Sequence, residues 1–266
     1  MKFKLLALSL LLCGLFVTQP AEAWVQTKTT QGKLLHWKKN NIGFRIHPEV
    51  PPGLVAGDVY YSIRQSFFVW PRQDCTCVKF QDNGMTDSRE LGYDVSNPSS
   101  NINIVLFQQS SWNHDSRAVA ITSNVFNEET GEVVAFDMEL NAVNFTFSVD
   151  GQPRNGKATM DIRNVATHEV GHVIGLDHSP ERESTMFASG LPGETKKRTL
   201  HSDDISGLCA LYPTNGCTET TNPTTPPPTD GGCGCSQQPG DSTDLTPVFF
   251  LALFGVLFFG IRRALL

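Results

Sequence analysis

Residues 168 to 178 read His168-Glu169-Val170-Gly171-His172-Val173-Ile174-Gly175-Leu176-Asp177-His178. His168 and His172 stand four apart, so on a helix they share one face. Gly175 can take a positive φ and end that helix, which lets the chain turn back and bring His178 in as a third imidazole. Three neutral imidazoles suit one tetrahedral Zn2+ and leave its fourth position open. Structural zinc sites are usually closed by a fourth protein ligand. Glu169 sits one step round the helix, placed to touch a water on the metal and to act as its general base. At average residue frequencies the five fixed positions coincide by chance on the order of once in ten million windows. Scattered histidines on an ordinary amphipathic helix therefore do not explain them.

The flanking residues carry a resemblance. Met186, in Ser184-Thr185-Met186-Phe187, resembles the Met-turn of the metzincin metalloproteases, which in that group lies under the zinc-binding histidines. His178-Ser179 followed by Met186 looks like the matrixin branch, the relatives of matrix metalloproteinases. Asp203-Asp204-Ile205-Ser206-Gly207-Leu208 with Leu211-Tyr212 resembles the C-terminal helix of matrixin catalytic domains. Trp37-Lys38 leading into Ile42-Gly43-Phe44-Arg45-Ile46 resembles their first strand. The resemblance runs over about residues 34 to 213 and is most specific from Val165 to Met186. It implies an α+β, zincin-like domain with a twisted, mostly parallel sheet and about three helices. It also implies a zinc endopeptidase acting on protein or peptide substrates, with His168, His172 and His178 as ligands and Met186 and Gly175 as structural support.

Departures from the family pattern limit what carries over. Animal matrixins commonly hold a structural zinc with a His just before an acidic strand. Here the stretch is Val134-Ala135-Phe136-Asp137-Met138-Glu139, with Ala135 at the His position. His114-Asp115 has a different spacing, so one zinc is expected and not two. Asp137 and Glu139 match acidic positions that bind Ca2+ in the family, and solvated charges on an edge strand would look the same. The proline that often follows the Met-turn by one residue is Ala188, which puts the floor of the specificity pocket in question.

The 266 residues can hold one good-sized domain plus accessories. The net charge of −6, with no basic tract, gives no support to nucleic-acid binding. Lys2 and Lys4, an apolar run from Leu5 to Val17 and Ala21-Glu22-Ala23 before Trp24 read as a secretory signal over residues 1–23. Cys13 lies inside that run and is expected to be discarded with it. Six cysteines then remain, and export makes disulfides plausible. Cys75 and Cys77 stand too close to bridge each other comfortably, and Cys209 and Cys217 flank the end of the last helix. The pairing of these four stays open. The chain between Trp24 and the first strand is short and holds no Cys. Latency, if any, is expected to come from something other than the Cys-bearing propeptide of animal matrixins.

Along the chain, Ala56 to Trp70 reads as an amphipathic helix with Val59, Ile63, Phe67 and Trp70 on its core face. Val78–Phe80, Ile102–Phe107, Ala118–Val125 and Val133–Leu140 read as strands, the last two joined by a turn at Glu129-Thr130-Gly131. A helix from about Met160 to Gly175 carries the first two histidines, and residues 24–213 make up the catalytic domain. The substrate is expected to lie extended along an edge strand near Ala118 to Thr122.

Residues 214–247 are a linker rich in Thr and Pro with Cys233 and Cys235, followed by an apolar terminal segment at 248–266. The apolar run spans about fourteen residues, or roughly 21 Å as a helix, short for a hydrocarbon core near 30 Å. Cys motif, apolar run and the basic pair Arg262-Arg263 together resemble the C-terminal sorting signals of many myxobacterial surface proteins. A plain membrane anchor is the alternative. The chain is thus expected to be exported, monomeric and held at a membrane or cell surface by its tail. A non-catalytic zinc-bearing binding module is the alternative function, but such a module has no chemical need for Glu169.

Overall fold

The computed structural model describes residues 23–216 and, further on, the backbone of a strand at Ala252–Ile261. The expected secretory signal and linker lie almost wholly outside the described residues, as do both ends of the expected apolar terminal segment, 248–251 and 262–266. Five strands form the body of the sheet: β1 (Asn41–Ile46), β2 (Lys79–Met85), β3 (Ile104–Gln108), β4 (Ala118–Asn127) and β5 (Glu132–Asn141). Three helices complete the domain: α1 (Ala56–Phe68), α2 (Ile162–Val173) and α3 (Ser202–Leu211). In space the strands run β4-β5-β3-β1-β2. β1 pairs in parallel with both β2 and β3, and β3 with β5, while β4 returns antiparallel to β5. This is the expected α+β domain with a mostly parallel sheet. The β1–α1–β2 crossover explains why α1 lies on the sheet, because parallel neighbours need a connection long enough to hold a helix.

The core lies between sheet and helices. α1 contributes Val59, Ile63 and Phe67 from one face, as its periodicity implies. Phe67 stacks on Phe44 of β1 with ring centroids 3.9 Å apart and leans on Phe136 of β5 at 6.1 Å. Trp70 is buried too, but α1 stops at Phe68 and Trp70 opens a 3-10 turn over Trp70–Arg72. Pro71 explains the early stop, since it has no N–H to continue the α-helical ladder to the Phe67 carbonyl. The Trp70 indole donates to the Thr167 carbonyl at 3.2 Å and so ties this turn to α2.

α2 also starts later than its periodicity suggests. Met160–Asp161 pair in parallel with Phe147–Ser148, and Asp161 is an extended N-cap whose carboxylate accepts from the Asn164 amide at 2.8 Å. Asp161 is fully buried and also accepts from Arg198, Nε at 2.8 Å and Nη2 at 2.5 Å. A disulfide links Cys75, just beyond α1, to Cys209 of α3, with Cα atoms 5.4 Å apart. Cys77 is disulfide-bonded as well.

Two expectations about edges change. β5 lies between β3 and β4, so Asp137 and Glu139 are on a central strand and buried, not solvated charges on an edge. β4 is not a free edge either. The terminal strand, β6 (Ala252–Ile261), runs parallel along it, with Leu253 opposite Ala118 and Ile261 opposite Asn127. The short strand Ser189–Gly190 pairs antiparallel with the far side of β6. Among the described residues no helix is long and apolar enough to cross a membrane.

Candidate metal centre

α2 presents His168 and His172 from one face, both buried, and the chain leaves the helix at Gly175 with φ +94°. That turn demands glycine twice over. The φ is one that side chains rarely adopt, and an added Cβ would lie 2.7 Å from the Leu35 carbonyl. Leu176–Asp177 then pair with Val25–Gln26, and the chain delivers His178, half-buried, to the other two rings. One ligand atom from each of the three histidines falls within 4.8 Å of the others. Among the described residues no other group of three metal-ligating side chains gathers this closely.

The ring nitrogens are already sorted. His168 Nδ1 lies 2.6 Å from the Thr185 carbonyl and His172 Nδ1 lies 2.8 Å from the Leu176 carbonyl. Carbonyls only accept, so both Nδ1 atoms carry protons and both Nε2 atoms offer lone pairs. Those Nε2 atoms sit 3.2 Å apart. Two lone pairs facing at that distance repel unless a cation lies between them. A tetrahedral zinc with bonds near 2.0–2.1 Å would set its ligands roughly 3.3 Å apart. His178 Nε2 is buried with no hydrogen-bond partner, which a metal would answer. Burial holds all three imidazoles below the usual histidine range, hence neutral and fit to ligate. The residues fit a zinc ion on each of these grounds.

Glu169 is fully buried in the turn between the two helical histidines. Oε2 accepts from the Thr122 hydroxyl of β4 at 2.7 Å, while Oε1 has no partner. Burial pushes its carboxyl up to about 8, against the Thr122 hydrogen bond and the Lys197 charge, both of which favour the ionised form. A divalent cation nearby would favour the carboxylate further. Two positions on β4 anchor α2: Thr122 on Glu169, and Asn124, whose Nδ2 donates to the His172 carbonyl at 2.8 Å.

Met186 is buried beneath this turn of α2. A Cβ added at Gly171 would collide with its sulfur. The turn around it is held by Asp204, fully buried at the start of α3, which accepts from Ser184 Oγ at 2.5 Å, Thr185 N at 2.7 Å, Met186 N at 3.0 Å and His201 N at 2.8 Å. Asp203 accepts from Ser179 Oγ at 2.6 Å, next to His178, and from the Ala23 and Trp24 amides at 2.8 Å each.

Asp137 and Glu139 are not part of this centre. They line a separate cavity of about 450 Å3 with Gly92, Gln108, His114 and Ser123. Asp137 accepts from Gly92 N at 2.6 Å and Ile104 N at 3.1 Å, and burial pushes its carboxyl up to about 7. Glu139 accepts from Gln108 Nε2 at 2.6 Å, and His114 Nε2 lies 3.3 Å from its other oxygen. Ala135 is buried opposite Val125 of β4.

Sequence reasoning missed Thr122, Asn124 and the holding role of Asp204. The first two had a partial signal: Thr122 and Asn124 are two apart on a strand and so face the same side, with Ser123 on the other.

Three inward imidazoles, a carboxylate with one oxygen uncommitted and Met186 beneath them form a candidate metal centre on a zincin-type fold. The matrixin profile matches residues 36–213, and the chain belongs to the matrixin family. It is 33% identical over 97 residues to metalloendoproteinase 4-MMP of Arabidopsis thaliana, covering 36% of this chain and 26% of that protein. It is 25% identical over 197 residues to human neutrophil collagenase, covering 73% and 37%. With human matrix metalloproteinase-19 the identity is 30% over 191 residues, covering 70% and 32%. The chain thus spans well under half the length of these relatives.

Proposed function

We propose that the protein is an exported zinc endopeptidase that hydrolyses peptide bonds with Glu169 as general base. The observation that carries this is the pair of facing Nε2 lone pairs on His168 and His172, with His178 Nε2 and Glu169 Oε1 unpartnered beside them. His168, His172 and His178 hold the metal, and the Thr185 and Leu176 carbonyls fix the two helical rings. Bound zinc supplies Lewis acidity and lowers the pKa of its water to about 7. Glu169 takes the proton from the attacking water and hands it to the leaving amine. The Thr122 hydroxyl holds one carboxylate oxygen, so the other faces the reacting atoms. Substrate that pairs with β4 takes the place β6 occupies, so substrate and tail exclude one another there.

Calcium at Asp137 and Glu139 belongs to this proposal as a stabilising ligand, not a catalytic one. It has to compete with the protein donors that both carboxylates already accept. Export rests on the sequence of residues 1–23, and attachment to a membrane or cell surface through the tail, either as a sorting signal or as an anchor, rests on the sequence of residues 214–266, of which 252–261 lie along β4 as β6.

Incubating the protein with a random peptide library, with and without chelator, tests the reading. Cleavage that chelator abolishes and zinc restores is expected, with one zinc per chain by elemental analysis after dialysis. Two zincs per chain would point to a second site through His114. Zinc bound with no cleavage of any peptide would favour the binding module instead.

A further inference from the structure

β6 fills the gap between two elements that frame the metal centre. On one side it runs parallel to β4, with Leu253 opposite Ala118, Val256 opposite Thr122 and Phe258 opposite Asn124. Those last two residues of β4 hold Glu169 and the His172 carbonyl, so the backbone of β6 passes level with the site. On its other side Ser189–Gly190 pairs antiparallel with it, Ser189 opposite Leu253. That segment leaves the Met186 turn only three residues earlier. The pairing with β4 covers the stretch Ala118–Thr122, where an extended substrate is expected, and continues to Asn127.

Edge chemistry explains why the tail lies there. Without β6, β4 would present ten residues of unpaired backbone with no proline and no charge to blunt it. An edge of that kind accepts any strand offered to it. Residues 252–261 read Ala-Leu-Phe-Gly-Val-Leu-Phe-Phe-Gly-Ile, again without proline or charge. Water drives such a run to cover itself, and pairing on β4 satisfies its backbone groups as well. Residues 217–251 join it to the domain, a length of chain that reaches more than about 100 Å when drawn out. The tail can therefore reach its own cleft, and tethering presents it there at an effective concentration on the order of millimolar.

We propose that β6 is an autoinhibitory strand, which occupies the substrate groove of its own chain and keeps the peptidase latent for as long as it stays in place. The inference rests on the endopeptidase reading above and adds its regulation. It answers the expectation that latency comes from something other than a Cys-bearing propeptide. A strand that competes for the groove raises KM and leaves kcat alone, because a molecule that has bound substrate has already released the strand.

The test compares the full chain, loaded with zinc, with Val256→Pro/Leu257→Pro. Successive N–H groups of a strand point to opposite sides, so one of the two faces β4, and proline has none to give. Two quantities are read: kcat and KM on a soluble peptide, and amide hydrogen exchange over residues 118–127, which needs no turnover. In the proline variant KM is expected to fall about tenfold or more with kcat unmoved, as for a groove open beforehand in no more than about one molecule in ten. The outer amides of β4 should exchange faster by a similar factor. Thr243→Pro, outside β6, should behave as the unaltered chain. If the proline pair does not fold, Val256→Asp/Leu257→Asp serves in its place, since it puts a carboxylate on each face of the strand and burying either is costly. Equal KM in the two proteins, with both cleaving, overturns the inference and leaves the endopeptidase reading standing. Unchanged exchange along β4 overturns it too. A KM that rises with protein concentration would place the strand of one copy in the groove of another, which also overturns it. Absence of cleavage in every variant, with exchange along β4 accelerated, refutes the endopeptidase reading itself and the latency with it.

Discussion

Replacing Glu169 by Ala is expected to leave zinc in place and remove nearly all hydrolysis. The carboxylate is not needed to hold the metal: the three imidazoles supply the ligand atoms, and Glu169 already has one oxygen on the Thr122 hydroxyl. What the alanine protein lacks is the group that takes the proton from the attacking water. General-base catalysis is worth roughly a hundredfold to ten-thousandfold, so turnover should drop by at least the lower figure while zinc content by elemental analysis stays at one per chain. Turnover above about a tenth of the unaltered protein's would sink the assignment. Loss of zinc together with activity would show that the carboxylate is needed to hold the metal.

Asp204→Ala is expected to be the most damaging single change to stability outside the histidines. Its carboxylate is fully buried and accepts four hydrogen bonds, two of them from consecutive amides of the Met-turn. Alanine strands those donors in a dry region. Each buried group left without a partner costs about 1–3 kcal/mol, and breaking a buried charged network costs about 3–5 kcal/mol in all. Against a total stability of roughly 5–15 kcal/mol, that is enough to unfold a substantial part of the population. Denaturant unfolding followed by circular dichroism reads it directly. A loss below about 1 kcal/mol would mean that the turn holds itself together. The damage should reach the metal as well, because the Thr185 carbonyl that orients His168 belongs to the same turn.

The grouping of the candidate metal ligands was legible because its parts are close in sequence. His168, Glu169, His172 and Gly175 fall within one helix and its end, where spacing fixes geometry, and His178 follows the turn that Gly175 permits. The core face of α1 was legible for the same reason. The supports were not, because they arrive from far along the chain. Thr122 meets Glu169 across 47 residues, and Asp204 meets Thr185 across 19. Strand order was hidden as well. Nothing in Phe136-Asp137-Met138-Glu139 says whether the strand is central or at an edge, because alternation of side chains looks the same in both. That depends on which strands lie on either side, and those pairings join distant residues. Likewise, Lys197 reads as one more charge in Lys196-Lys197-Arg198. Only the packing of that turn on α2 separates the buried lysine from its exposed neighbour.

The Cys75–Cys209 bridge closes a loop with a sequence separation of 134 residues. Inside it lie β2 to β5, α2 and all three histidines. A peptidase is exposed to nicking by its own copies, and a single cut anywhere within that loop leaves both pieces covalently joined. On a non-reducing gel a nicked molecule keeps the mass of an intact one, and reduction is needed before the fragments separate. Apparent purity without reductant is therefore no guide to the integrity of a preparation, and specific activity can decay while the band stays single.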